Sequence, residues 1–202
     1  MEFKPLVSFF ILLIAFALYG LQHSWLASLR FKGWLGSVVG QGWMQRWYRL
    51  VYNIVGGVTL LPIFYLMAVL PNRELYVIPF PWRWLNYVAQ AFGLWVLLAS
   101  VWLTGVWDFA GLRQVAAADA PEPAFTTGGF YRWVRHPLYS GGMLFLWASP
   151  RMSVLSAAFY LGISLYFWVG TIYEERKLAA HFGQDYVDYA ARTPMFVPRL
   201  RR

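Results

Sequence analysis

The sequence contains no cysteine, which excludes a disulfide framework, a thiolate metal site and a cysteine nucleophile. Charge is scarce as well: 13% of the residues are charged, against roughly 25% in ordinary soluble domains. That is too few to build the polar exterior a soluble core requires, so lipid replaces water as the main solvent. Acids are scarcer than bases, nine against seventeen, for a net charge of +8. In a soluble protein this excess would point to nucleic acid. Here the basic residues sit between apolar runs, so the expected partners are membrane lipids with anionic headgroups and not nucleic acid. Convincing repeats, low-complexity tracts and long linkers are missing too, and the 202 residues read as a single domain.

Apolar runs are plentiful. They cover Leu6 to Leu21, Leu50 to Leu70, Trp84 to Trp107, Leu138 to Ser149 and Met152 to Thr171. Lacking a small-residue cleavage site behind it, the first reads as an uncleaved helix. Four of the runs suffice, or nearly so, for a hydrocarbon layer of about 30 Å at about 1.5 Å per residue. The fourth, between Pro137 and Pro150, is short and reads as one arm of a helical hairpin. The expected fold is an all-α polytopic membrane helical bundle with about five transmembrane helices and a cytoplasmic C-terminal helix. Residues 1–107 would form a three-span scaffold, and 108–202 a loop, the hairpin and the terminal helix.

Five spans put Lys4, Arg73, Arg83 and Arg151 on one side and the other thirteen Lys and Arg on the opposite side. The positive-inside rule then predicts the N-terminus outside and the C-terminus in the cytoplasm. Trp25, Trp34, Trp43, Trp47, Trp82, Trp84 and Trp107 fall near the span ends, as interfacial belts require.

The strongest local pattern runs from Tyr131 through Arg135-His136-Pro137-Leu138-Tyr139-Ser140-Gly141. Proline at a first helical position predicts a helix starting at Pro137, whose free N–H groups and positive dipole end suit an anion. Arg135 and His136 at a short span's end point to a cavity, since polar groups at membrane depth are costly. The plainer alternative is that Arg135 snorkels to phosphates and His136 caps the hairpin. Glu174 and Glu175 close the last span on the same side. Either they hold polar groups of a ligand or they pair with Arg176 and Lys177 on a solvated helix start. Gly183 is expected to weaken the helix that continues from Glu174 to Tyr189.

Taken in order, Arg135 to Gly141, a short hairpin, Glu174-Glu175, Phe182-Gly183-Gln184-Asp185-Tyr186, Tyr189 and Pro194 resemble the isoprenylcysteine carboxyl methyltransferase and phospholipid methyltransferase superfamily. The resemblance covers Asp108 to about Pro198. It implies a membrane methyltransferase whose S-adenosylmethionine pocket is made by these segments. Cofactor contacts are implied for Tyr131, His136, Pro137, Leu138, Tyr139 and Glu174, and for Gln114, Phe125 and Thr126 in a loop that closes over the pocket. Aromatic faces such as Tyr131 and Tyr139 suit a sulfonium by cation–π attraction.

Isoprenylcysteine enzymes usually carry an arginine one turn before the glutamates, where this sequence has Gly170. Phe109-Ala110-Gly111-Leu112-Arg113-Gln114-Val115, Pro194-Met195-Phe196-Val197-Pro198 and His23-Ser24 resemble the methanethiol S-methyltransferase branch. The implied acceptor is a small-molecule or lipidic one, a thiol among the candidates, with Arg113 and Arg135 as candidate substrate-binding residues and no metal. Alternatives within the superfamily are carboxyl O-methylation of prenylcysteine and N-methylation of phospholipids. Outside it stand a haem-binding protein with His23 and His136 as axial ligands, and a non-catalytic bundle.

Overall fold

A computed structural model describes residues 3–117 and 125–199. The helices are α1 (Phe3–Ala27), α2 (Leu29–Val39), α3 (Gln41–Val69), α4 (Arg83–Thr104), α5 (Val106–Ala110), α6 (Leu112–Ala116), α7 (Pro137–Trp147), α8 (Val154–Phe182) and α9 (Gln184–Arg192). A 3-10 turn spans Gly129–Arg132, and strands β1 (Glu74–Val77) and β2 (Arg151–Ser153) form a small antiparallel ribbon.

Among the described residues, four helices are long and apolar enough to cross a membrane: Lys4–Ala27, Gln41–Val69, Arg83–Thr104 and Val154–Phe182. The fourth apolar run of the sequence becomes α7, only 11 residues long. Leu18, Leu21, Leu61, Leu98 and Trp102 are exposed, the outward apolar surface that a lipid solvent requires. Trp25, Trp34, Trp82, Trp84 and Trp107 are exposed near the helix ends.

Two packings organise the bundle. In the first, α1, α3 and α8 bury Leu12, Phe16, Ile63, Leu155, Ala158 and Phe159 as a common core. Phe16 meets Phe159 edge-on, with centroids 5.3 Å apart. In the second, α7 lies along α4 so closely that a Cβ at Gly93 would stand 2.7 Å from the Gly141 carbonyl oxygen, and one at Gly141 would stand 2.6 Å from that of Gly93. Small residues let helix backbones approach where lipid supplies no hydrophobic drive for association.

Several elements differ from the sequence reading. Helix α1 continues past Leu21 through Gln22 and His23 to Ala27, because a helix satisfies its own backbone whether its side chains are apolar or not. Helix α2 was not anticipated; Ser28 opens it by accepting a hydrogen bond from the Phe31 N–H at 3.2 Å. The ribbon was also missed, since strands of four and three residues carry too little periodicity to read. Glu174 lies well inside α8, which ends only at Gly183, where φ is +58° and ψ is −132°. Glycine tolerates that backbone without the penalty a side chain would incur, so the expected weak point is a complete break between α8 and α9.

The ends of the elements sort into two groups. Ile78 N–H donates to the Pro150 carbonyl at 2.8 Å and Val154 N–H to that of Arg73 at 2.9 Å, joining the β1 and β2 connections at one end. At the other, Arg46 donates to the Val115 carbonyl at 2.9 Å and Asn53 to that of Phe109 at 2.9 Å. Burial, together with repulsion from Lys177 and Arg49, lowers the Lys32 pKa there. Most of the basic residues therefore gather at a single end.

Candidate functional site

The start of α7 lies at the basic end, where the chain's tail holds it. Pro137 occupies its first position and is fully buried. The residues before it are held by the tail: Arg135 N–H donates to the Pro194 carbonyl at 2.8 Å and His136 N–H to that of Met195 at 3.1 Å. Ser140 Oγ reaches the Phe196 carbonyl at 2.7 Å. Past this point, the N–H groups of Leu138 and Tyr139 have no acceptor within their own helix.

The two glutamates do different work. Glu175 accepts a forked pair from Arg135, with Nε to Oε1 at 2.6 Å and Nη2 to Oε2 at 3.1 Å, and its Oε1 lies 3.1 Å from His136 Nε2. Arg135 Nη1 also donates to the carbonyls of Ala190 at 2.8 Å and Thr193 at 2.6 Å. One guanidinium thus ties the segment entering α7, α8 and the C-terminal end of α9 together, with the planar fork that lysine lacks. Glu174 instead receives the Tyr139 hydroxyl at 3.1 Å and stands 3.7 Å from His136 Nδ1, with its side chain 46% exposed. It keeps acceptor capacity toward the opening.

Aromatic rings line the approach. His136 and Tyr139 stack at 5.5 Å with 8° between planes, and Tyr139 stacks on Phe167 at 4.6 Å. The Tyr189 hydroxyl donates to the Tyr131 carbonyl at 2.6 Å. Burial, reinforced by the negative charge of Glu174 and by Tyr189, pushes the Tyr131 hydroxyl up to about 12. Tyr131 is therefore neutral across the physiological range and offers a π face and a hydroxyl. Burial raises Tyr189 to about 12 and shifts Tyr186 upward too.

Tyr131, His136, Pro137, Leu138, Tyr139 and Glu174 come together at this end. Phe125 joins them through ring contacts with Phe182 at 4.7 Å, Tyr186 at 5.9 Å and Tyr189 at 5.8 Å. Thr126 follows it as a half-buried residue outside any helix. Gln114 sits on α6 and bonds Asp108 Oδ1 at 3.4 Å, while Arg113 pairs with Asp108 Oδ2 at 2.8 Å. Of the substrate-binding candidates, then, Arg135 is engaged by Glu175 and two carbonyls and Arg113 by Asp108. Residues 118–124 of the connecting loop lie outside the described residues.

Sequence reasoning missed Asp108, which is buried. An acid immediately after an apolar span was the available signal, because it must find a partner. It also missed the tail carbonyls of Ala190, Thr193, Pro194 and Met195. No side-chain pattern marks a backbone acceptor.

A pocket for a zwitterionic cofactor needs acceptors for ammonium and hydroxyl groups. Tyr186 Oη is buried without a hydrogen-bond partner among the described residues, and Glu174 is partly open. These atoms fit such a ligand.

Comparison with known proteins gives a consistent result. Methanethiol S-methyltransferase 1 of Bradyrhizobium diazoefficiens is 32% identical over 194 residues, covering 94% of this chain and 66% of that protein. Methanethiol S-methyltransferase 2 of the same organism is 31% identical over 198 residues, covering 93% of this chain and 72% of that protein. A shorter match, 36% identical over 75 residues, joins 36% of this chain to 38% of the protein-S-isoprenylcysteine O-methyltransferase B of Arabidopsis thaliana. No family model matches the chain, and no solved structure matches it. The protein is an integral, multi-pass membrane methyltransferase. More narrowly, it belongs to the methanethiol S-methyltransferase family, and the chain spans 66% to 72% of the length of the two relatives from Bradyrhizobium diazoefficiens.

Proposed function

We propose that the pocket at the start of α7 binds S-adenosylmethionine and that the protein transfers its methyl group to a small or membrane-partitioning thiol. The observation that carries this reading is the division of labour between the glutamates. Glu175 is consumed by Arg135 and His136, whereas Glu174 keeps a half-exposed carboxylate beside Tyr131 and Tyr139. When bound, the cofactor supplies an electrophilic methyl group on a sulfonium. Glu174 would hold an ammonium or ribose hydroxyls, and the N–H groups of Leu138 and Tyr139 would be available to a carboxylate. Tyr186 would accept a further hydroxyl, and the ring of Tyr131 would favour the positive charge. Methyl transfer of this kind depends on in-line placement and exclusion of water, so positioning dominates.

The acceptor is assigned from the names of the relatives and from Gly170, around which a Cβ would meet nothing within 4 Å. A carboxylate entering that space lacks a cation at this position and loses hydration, while a thiol is nearly apolar until it ionises. Labelled S-adenosylmethionine offered with equal concentrations of methanethiol and a farnesylcysteine analogue is expected to methylate the thiol faster. Faster transfer to the prenylcysteine carboxylate would overturn the acceptor and leave the cofactor assignment standing.

We assign the basic end to the cytoplasm on the charge asymmetry. Because the natural chain has no cysteine, single cysteines placed at Ala117 and Ala190 report sidedness directly. Both are expected to label from the cytoplasmic face only. Labelling from opposite faces would defeat the topology.

A further inference from the structure

A second polar cluster lies beside the methyl-donor pocket and is used by nothing described so far. On α1, Tyr19 stacks on His23 at 5.5 Å. From α3, Tyr52 approaches the same imidazole at 4.4 Å, and from α8, Tyr166 meets it edge-on at 5.7 Å and Tyr19 at 5.5 Å. Glycines make this convergence possible. A Cβ at Gly56 would stand 3.1 Å from His23 Cε1 and 3.2 Å from His23 Nδ1, so this edge of the imidazole lies against α3, and one at Gly20 would be in contact with the Tyr166 ring at 3.7 Å. Within the cluster, His23 Nδ1 is buried and has no hydrogen-bond partner among the described residues. Three tyrosines thus surround an imidazole whose inner nitrogen is unengaged.

The cluster and Glu174 are joined along α8. Tyr166, Gly170 and Glu174 follow one another at four-residue steps and so share a face of α8. Phe167 carries the contact sideways, stacking on Tyr139, which donates to Glu174. Between the tyrosine cluster and the carboxylate, Gly170 leaves open space on that face. A small acceptor lodged over Gly170 has the donor site on one side and the imidazole on the other.

We infer that the cage of Tyr19, His23, Tyr52 and Tyr166 is the acceptor site and that His23 Nδ1 is the base that takes the thiol proton. The inference rests on the methyltransferase reading of the Glu174 pocket. In the step, the S–H bond of the thiol breaks and its proton passes to His23 Nδ1. The sulfur electron pair forms the new S–CH3 bond. The methyl–sulfonium bond of S-adenosylmethionine breaks, its pair remaining on the departing sulfur as neutral S-adenosylhomocysteine. The imidazolium then returns its proton to water. The tyrosine faces stabilise the transient cation, and the thiolate is the competent nucleophile. Groups facing His23 from the packed helices are Tyr19 on its own helix, Tyr52 on α3 and Tyr166 on α8.

The test uses purified full-length protein in nanodiscs, with His23→Gln and two acceptors: an alkanethiol that is protonated at neutral pH and an arylthiol that is already ionised. Removing a general base costs on the order of a hundredfold or more. The alkanethiol rate is expected to fall by about that factor, the arylthiol rate to fall by a clearly smaller factor because only the base is dispensable for it, and S-adenosylmethionine affinity measured by calorimetry to hold. Equal losses for both thiols, or no loss for either, overturn the assignment, as does loss of cofactor affinity in the variant. Failure of the unaltered protein to bind S-adenosylmethionine would instead bring down the underlying donor-site reading. A readout without turnover covers the case in which the variant fails to fold. With only three histidines in the chain, isotope-labelled imidazole resonances are resolvable by NMR. Adding alkanethiol to the complex with S-adenosylhomocysteine should shift the His23 nitrogens and leave those of His181 in place; an unmoved His23 overturns the proposal.

Discussion

Arg135→Ala is expected to loosen the tail from the bundle and to lower the melting temperature in detergent more than any surface charge removal. The side chain makes a forked pair with Glu175 and donates to two carbonyls, with side-chain exposures of 12% for Arg135 and 20% for Glu175. Losing one partner of a buried pair leaves the other charged and unpaired, at a cost of roughly 3 to 5 kcal/mol; the residual exposure here brings this to about 2 to 4 kcal/mol. The carbonyls of Ala190 and Thr193 lose their donor as well. Arg135→Lys keeps the charge without the fork, so it should recover only part of the loss. Thermal unfolding and protease sensitivity after Arg192 measure both effects. An unchanged melting temperature together with an undigested tail would mean that the pair holds nothing in place.

Glu174→Gln is expected to weaken S-adenosylmethionine binding about five- to thirtyfold while leaving the fold intact. The substitution keeps shape and removes charge, and a charge-assisted hydrogen bond lost from a partly buried site costs on the order of 1 to 3 kcal/mol. Because Glu174 is 46% exposed, water screens part of this, and the lower half of the range is favoured. Glu175→Gln should show the reverse profile, a lower melting temperature with a smaller direct effect on affinity, since its carboxylate faces Arg135 and His136. Calorimetry and unfolding on the two variants separate the roles. Equal and unaltered affinities would return Glu174 to an ordinary solvated position on α8.

These two glutamates also show how far a sequence carries. The sequence by itself determined the solvent, the helical class and the set of long spans, because scarcity of charge and the length of apolar runs are properties of the chain before it folds. It also placed the start of α7, since proline fixes the first turn of a helix whatever surrounds it. It marked Gly183 as a weak point for a related reason.

Only the tertiary structure decided which glutamate is structural and which is open. Adjacent residues on α8 point about 100° apart, and the Arg135 that selects Glu175 lies 40 positions away. The same holds for Asp108 on α5, which meets Arg113 and Gln114 only because the chain breaks at Gly111 and restarts as α6, and for the carbonyls of the tail. His23 illustrates it most clearly. In the sequence it is a polar residue at the end of an apolar run. Three helices must pack before Tyr52, Tyr166 and the glycines beside them enclose it, since contacts between distant segments depend on backbone approach that no local pattern encodes.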